Sequence, residues 1–128
     1  EDDTWGRAKV DAFVYEEGVS KEARVIDFKT GRYDGNQESH REQCELYGAV
    51  SLSRYPELEK ITTEMWYLDH GKIDRYIYTP ETIKIKRERL NNRALAMTTA
   101  TEFPATPSMF KCKWCYFGKQ NMCREVMR

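Results

Sequence analysis

Apolar and polar positions mix from Gly6 to Tyr15, where Val10 and Ala12 stand against Lys9 and Asp11 before Phe13, Val14 and Tyr15. This pattern predicts a strand. A polar turn, Glu16 to Glu22 with Gly18 and Ser20, separates it from a second predicted strand at Ala23 to Lys29, and the pair reads as a hairpin. Thr30 to Asn36, with Gly31 and Gly35, is a loop. The period turns helical from Glu38 to Arg54, and Pro56 lies just past the predicted end. Ile61 to Leu68 and Lys72 to Tyr78 are two further β-rich runs, joined by Asp69, His70 and Gly71 in a hairpin turn. Thr79 and Pro80 suit the N-cap and first position of a last long helix reaching Met97, with Glu81 favourable in its first turn. Phe103 to Ser108 contains two prolines and connects to a cysteine-bearing end.

The order β-β-α-β-β-α predicts an α/β fold, with the long helices packed on a mixed, twisted sheet. At 128 residues the chain fits one domain over 1–128, of which 103–128 is a cysteine-containing C-terminal segment. No apolar run approaches the roughly 20 residues of a membrane helix, so no membrane partner is expected. The chain opens on Glu1, Asp2 and Asp3, which is not a secretory signal. It does not begin with Met, which reads as a fragment or a trimmed chain, and a cytoplasmic location is expected.

The formal net charge is zero, but its distribution is uneven. Residues 1–83 hold 11 Lys/Arg against 18 Asp/Glu, and residues 84–128 hold 10 against 3. An acidic part suited to metal ions and a basic part suited to phosphates fit a nucleic-acid enzyme, although chance clustering of solvated charges gives the same numbers.

The informative segment is Arg24 to Arg32, R-V-I-D-F-K-T-G-R. Side chains on a strand alternate with period two, so Asp27 and Lys29 share one face. Ile26 and Phe28 take the other, where they are expected to anchor the strand in the core. Asp11 lies on the neighbouring strand, so two carboxylates and a lysine can converge. Hard carboxylate oxygens suit Mg²⁺ or Mn²⁺, which orients a scissile phosphate and acidifies the attacking water. Lys29 can orient that water or stabilise developing negative charge. Taken alone, D-x-K is a common exposed strand face. Gln43 and Tyr47 add weight, being four apart on one face of the following helix. Gln43 can hydrogen-bond a phosphate or a water on the metal, and Tyr47 can contact a nucleic-acid backbone.

An Asp on one strand, then V-I-D-F-K-T-G, then a helix carrying Q-C-E-L-Y resembles the PD-(D/E)XK nuclease superfamily, and within it the RecB-like exonuclease branch with its CRISPR-associated and phage-encoded members. The resemblance is dense from Gly6 to Tyr47 and returns at the cysteine tail. It implies a restriction-endonuclease-like αβα core, with Asp11 and Asp27 as metal ligands and Lys29 as the catalytic lysine. The backbone carbonyl of Phe28 would be a further ligand, and Gln43 and Tyr47 the accessory pair. Members often carry a helix with another acidic or histidine residue before the first motif. Only ten residues precede Asp11, so that helix is expected to be missing or to lie outside the chain.

Cys112, Cys115 and Cys123 form a C-x2-C pair and a third cysteine, a spacing that lets thiolates share a metal or cluster. By the same resemblance they would bind a [4Fe-4S] cluster, with zinc as the alternative. The fourth ligand is missing. Cys44 would point about 100° away from Gln43 on its helix and reads as a buried free thiol.

His40 and His70 read as exposed. Lys84, Lys86, Arg87, Arg89 and Arg93 make the last helix a candidate DNA-tracking surface or a solvated face. Trp66, Tyr67, Tyr76 and Tyr78 suit sheet packing, and Trp114 and Phe117 suit shielding of a cluster or stacking on bases. Two functions compete. One is a metal-dependent deoxyribonuclease, an exonuclease without sequence specificity, with DNA as substrate and protein partners in repair, recombination or phage replication. The other is a non-catalytic iron–sulfur or zinc module on a degenerate nuclease fold that binds DNA or protein.

Overall fold

The computed structural model describes residues 7–127. Its elements are β1 (Ala12–Tyr15), β2 (Glu22–Lys29), α1 (Gln37–Arg54), β3 (Lys60–Tyr67), β4 (Lys72–Tyr78), α2 (Pro80–Thr99), α3 (Met109–Trp114) and α4 (Tyr116–Lys119). Two compact units result, Glu1–Thr98 and Thr99–Arg128. The first strand is shorter than its apolar pattern predicts, because Arg7 to Asp11 run outside any ladder.

The sheet has the order β1-β2-β3-β4. β1 and β2 are antiparallel, as are β3 and β4, while β2 and β3 are parallel. A parallel pair needs a crossover, and α1 supplies it. The sheet is therefore mixed, as the alternation of predicted elements requires.

Period two sorts the strand residues. Ala23 and Val25 of β2, Ile61 and Met65 of β3, and Tyr78 of β4 bury against Cys44, Tyr47 and Leu52 of α1. Gly48 lets this helix approach. A Cβ there would stand 2.6 Å from the Tyr78 ring. Ile83 of α2 joins the same core, so both long helices serve one face of the sheet. Thr79 caps α2 as predicted, its Oγ1 accepting from the Thr82 N–H at 3.3 Å.

The opposite sheet face carries Phe28, expected in the core but 44% exposed, with its ring edge-on to Trp66. Ile26 beside it is buried as expected. Glu64 is also buried on this face, held by Arg75 Nε at 2.7 Å, Trp66 Nε1 at 2.7 Å and Arg24 Nε at 3.7 Å. Burial pushes its pKa up. The Trp66 and Arg75 hydrogen bonds and both arginine charges outweigh that and hold it below its ordinary value.

The basic character of α2 is largely spent within the unit. Lys86 and Arg89 clamp the buried Glu45 of α1 at 2.6 and 2.5 Å, and Arg93 reaches Glu42 at 3.4 Å. These cations fasten one helix to the other, which leaves few of them to follow a DNA backbone.

Candidate active site

β1, β2 and α1 place the chemistry. Ala12 pairs with Ile26, and one step further along that register sets Asp11 across from Asp27. Asp11 lies one residue before β1 and is exposed. Its Oδ2 accepts from the Phe28 N–H at 2.8 Å, satisfying a backbone donor that β1 is too short to reach. A strand residue points its N–H and C=O to the same neighbour, so the Phe28 carbonyl faces the Asp11 side as well.

Asp27 is buried on the α1 face. Its Oδ1 accepts from Tyr47 Oη at 2.8 Å and from Gln43 Nε2 at 3.4 Å. Its Oδ2 lies 2.6 Å from the Lys29 ammonium, yet it receives no directed hydrogen bond. The contact is an ion pair met at an angle, and a lone pair of a buried oxygen stays available.

Gln43 ties the set together. Its Oε1 accepts from Lys29 Nζ at 2.9 Å, and its Nε2 donates to Tyr47 Oη at 2.5 Å. The reverse amide orientation would set NH₂ against an ammonium, so the network fixes this one. Lys29 carries three N–H donors. Gln43 takes one, while the Asp27 charge draws the ammonium without a directed hydrogen bond. Tyr47 is 4% exposed, with the Lys9 carbonyl at 3.0 Å as a second acceptor. Burial and the Asp27 hydrogen bond push its pKa up to about 12, so it stays a donor. The Tyr47 hydroxyl is turned to Asp27 within the chain. Tyr47 orients the carboxylate from below.

Among the described residues no three His, Cys, Asp or Glu are grouped to hold a metal ion. Mg²⁺ needs fewer, since it retains several waters and uses one or two carboxylates. Asp11, the spare lone pair of Asp27 and the Phe28 carbonyl are hard oxygens on one edge of β2. They fit such an ion. Cys112, Cys115 and Cys123 are all partly buried, and the Cys112 sulfur accepts from the Met127 N–H at 3.4 Å. They do not form a metal-holding group, and a cluster needs a fourth ligand. Cys44 is fully buried in the core, and burial pushes its thiol up to about 11, in keeping with a structural role.

His70 is exposed as expected, whereas His40 is partly buried. His40, one turn before Gln43, sets Nδ1 2.8 Å from Tyr67 Oη. Burial and the Lys29 charge lower its pKa, against a smaller pull from Asp27 and Asp74. His70 Nε2 lies 2.9 Å from the Gly31 carbonyl, and Asp69 accepts from the Gly31 N–H at 2.6 Å. Gly31 itself has a φ of 87°. The β3–β4 turn thus grips the loop that leaves Lys29. Asp74, from β4, occupies the same sheet row as Asp27, across Met65, and accepts from Tyr33 Oη at 3.2 Å. Nothing local in the sequence singles out Asp74, because its place follows only from two strand registers taken together.

A family model of the PD-(D/E)XK nuclease superfamily matches residues 7–124. The chain belongs to this superfamily. The match spans the Asp11, Asp27 and Lys29 constellation and the cysteine tail. Among curated proteins none matches the chain. A solved structure described as the crystal structure of SSO0001 is similar at 21% identity and a TM-score of 0.38. The alignment covers 83% of this chain and 46% of that one, so the chain spans about half of its length.

Proposed function

We propose that this PD-(D/E)XK chain is a Mg²⁺- or Mn²⁺-dependent deoxyribonuclease, acting from DNA ends without sequence specificity. The observation that carries the reading is the buried Asp27 carboxylate, oriented by Tyr47 and Gln43 on one oxygen and left without a hydrogen bond beside Lys29 on the other. Asp11, Asp27 and the Phe28 carbonyl would hold the ion. When bound, it supplies positive charge for the scissile phosphate and makes a water more acidic.

The rest of the chemistry belongs to this chain. Lys29 stands at the open edge, where it can hold the nucleophile or meet the negative charge that develops on phosphorus-bound oxygens. Gln43 keeps that ammonium from swinging away, and Tyr47 keeps Asp27 from rotating. Asp11 both offers an oxygen and ties down the Phe28 backbone. A [4Fe-4S] cluster or zinc at Cys112, Cys115 and Cys123 would need a fourth ligand, and no chemical step is assigned to it.

The test is degradation of an end-labelled DNA oligonucleotide with Mn²⁺. The parent protein should shorten it, while Asp27→Ala and Lys29→Ala should each lose the activity by at least about a hundredfold, the scale of a lost electrostatic donor. Equal cutting by parent and both variants would place the chemistry elsewhere. Binding of DNA without any cutting would make the chain the non-catalytic module.

A further inference from the structure

The second unit has a surface that neither the fold nor the proposed centre uses. All five aromatic side chains of residues 99–128 stand exposed, from Phe117 at 58% to Phe103 at 79%. Rings of this size are normally spent on a core, and these are not. Trp114 ends α3 and Tyr116 begins α4, with Cys115 serving as the cap of both. This tight junction presents the Trp114, Tyr116 and Phe117 rings in succession. Lys113 Nζ and Lys119 Nζ lie 5.8 and 5.4 Å from the Trp114 ring centroid. Both lysines also line a shallow groove with Met109, Cys112 and Gly118.

The charge around this surface is one-sided. Residues 99–128 hold five Lys/Arg against two Glu. Unlike Lys86, Arg89 and Arg93 of α2, neither Lys113 nor Lys119 forms an ion pair with a carboxylate among the described residues. Exposed rings beside unpaired ammonium groups match a polyanion that offers flat apolar faces. Unpaired bases on a phosphate backbone have that chemistry, whereas a duplex hides its base faces.

We propose that Trp114, flanked by Lys113 and Lys119, is a stacking site for single-stranded nucleic acid. Bases stack on Trp114 and its neighbours Tyr116 and Phe117, and the two lysines meet the phosphates. The proposal rests on the nuclease reading for the class of polymer, and its test is independent of cutting.

The measurement is fluorescence anisotropy of labelled oligothymidylate and of a duplex of equal length, with the full chain in EDTA. The parent should bind the single strand more tightly than the duplex. Trp114→Ala should weaken single-strand binding about tenfold or more, and Trp114→Phe should retain most of it. Lys113→Gln with Lys119→Gln should flatten the slope of log affinity against log salt by about 1.4, about 0.7 for each phosphate that is no longer neutralised. An unchanged circular dichroism spectrum confirms that each variant folds. Equal binding by parent and Trp114→Ala overturns the proposal, as does a preference for duplex. Self-association of the parent without oligothymidylate binding overturns it too, in favour of a protein partner. A protein that binds through Trp114 yet never cuts with Mn²⁺ refutes the nuclease and leaves the stacking site standing.

Discussion

Tyr47 shows how a buried hydroxyl shapes an acidic centre from the core side. It donates to Asp27 from the core side, and its pKa of about 12 keeps the proton in place across the working range. Tyr47→Phe keeps the ring and removes only this donor. The variant should fold, because the ring remains in the core, and its DNA-cutting rate should fall about tenfold or more. A hydrogen bond to a charged group contributes about 1.5–3 kcal/mol, and about 1.4 kcal/mol is a factor of ten. Cutting rates over a Mn²⁺ titration check this. A rate equal to the parent's would show that Gln43 alone orients the carboxylate. At this scale Asp27 and Lys29 were legible, because two-residue alternation alone puts them together. Phe28 is exposed where the strand pattern predicts a core position. Alternation gives its side of the sheet, but not whether that side is covered. The partial burial of His40 was opaque, since its partner Tyr67 lies 27 residues away, and the exposed His70 gave no sign of its contact with Gly31, 39 residues away.

Among the elements, α1 carries the most. It closes the parallel β2–β3 connection, delivers Gln43 and Tyr47, and packs on β4 through Gly48. In a free helix Gly→Ala would gain about 1 kcal/mol of propensity. Here the new Cβ meets a buried ring at 2.6 Å. Overpacking costs about 1–3 kcal/mol and should win. Gly48→Ala is thus expected to lower the thermal midpoint, followed by circular dichroism; a higher midpoint would mean that Tyr78 yields freely. The helix was visible from its period, and its glycine was not, because nothing local marks which strand residue it faces. The reverse holds for α2. Its cations were plain in the sequence, but their pairing with Glu45 and Glu42 required knowing that the two helices lie side by side.

For the molecule as a whole, the acid limit of stability should follow Glu64, which links β2, β3 and β4 through Arg24 and Arg75. Its folded pKa lies below the ordinary value, so the unfolded chain binds more protons in that window. The stabilisation is complete above the ordinary carboxylate pKa and is lost as pH falls through the folded value. Urea unfolding at pH 7 and at pH 3 to 4 should show this loss. Glu64→Gln should begin less stable at pH 7 and lose less on acidification; an equal loss would assign the acid limit to other carboxylates. The fold class followed from the order of elements.

The two acids of the candidate centre are held differently. Asp27 is gripped from the core by Tyr47 and Gln43, while Asp11 lies exposed outside β1 with the Phe28 N–H as its anchor. The centre therefore has one rigid jaw and one compliant jaw. The rigid jaw sets where an ion would sit, and the compliant one can follow its radius, which differs by a few tenths of an ångström among hard divalent cations.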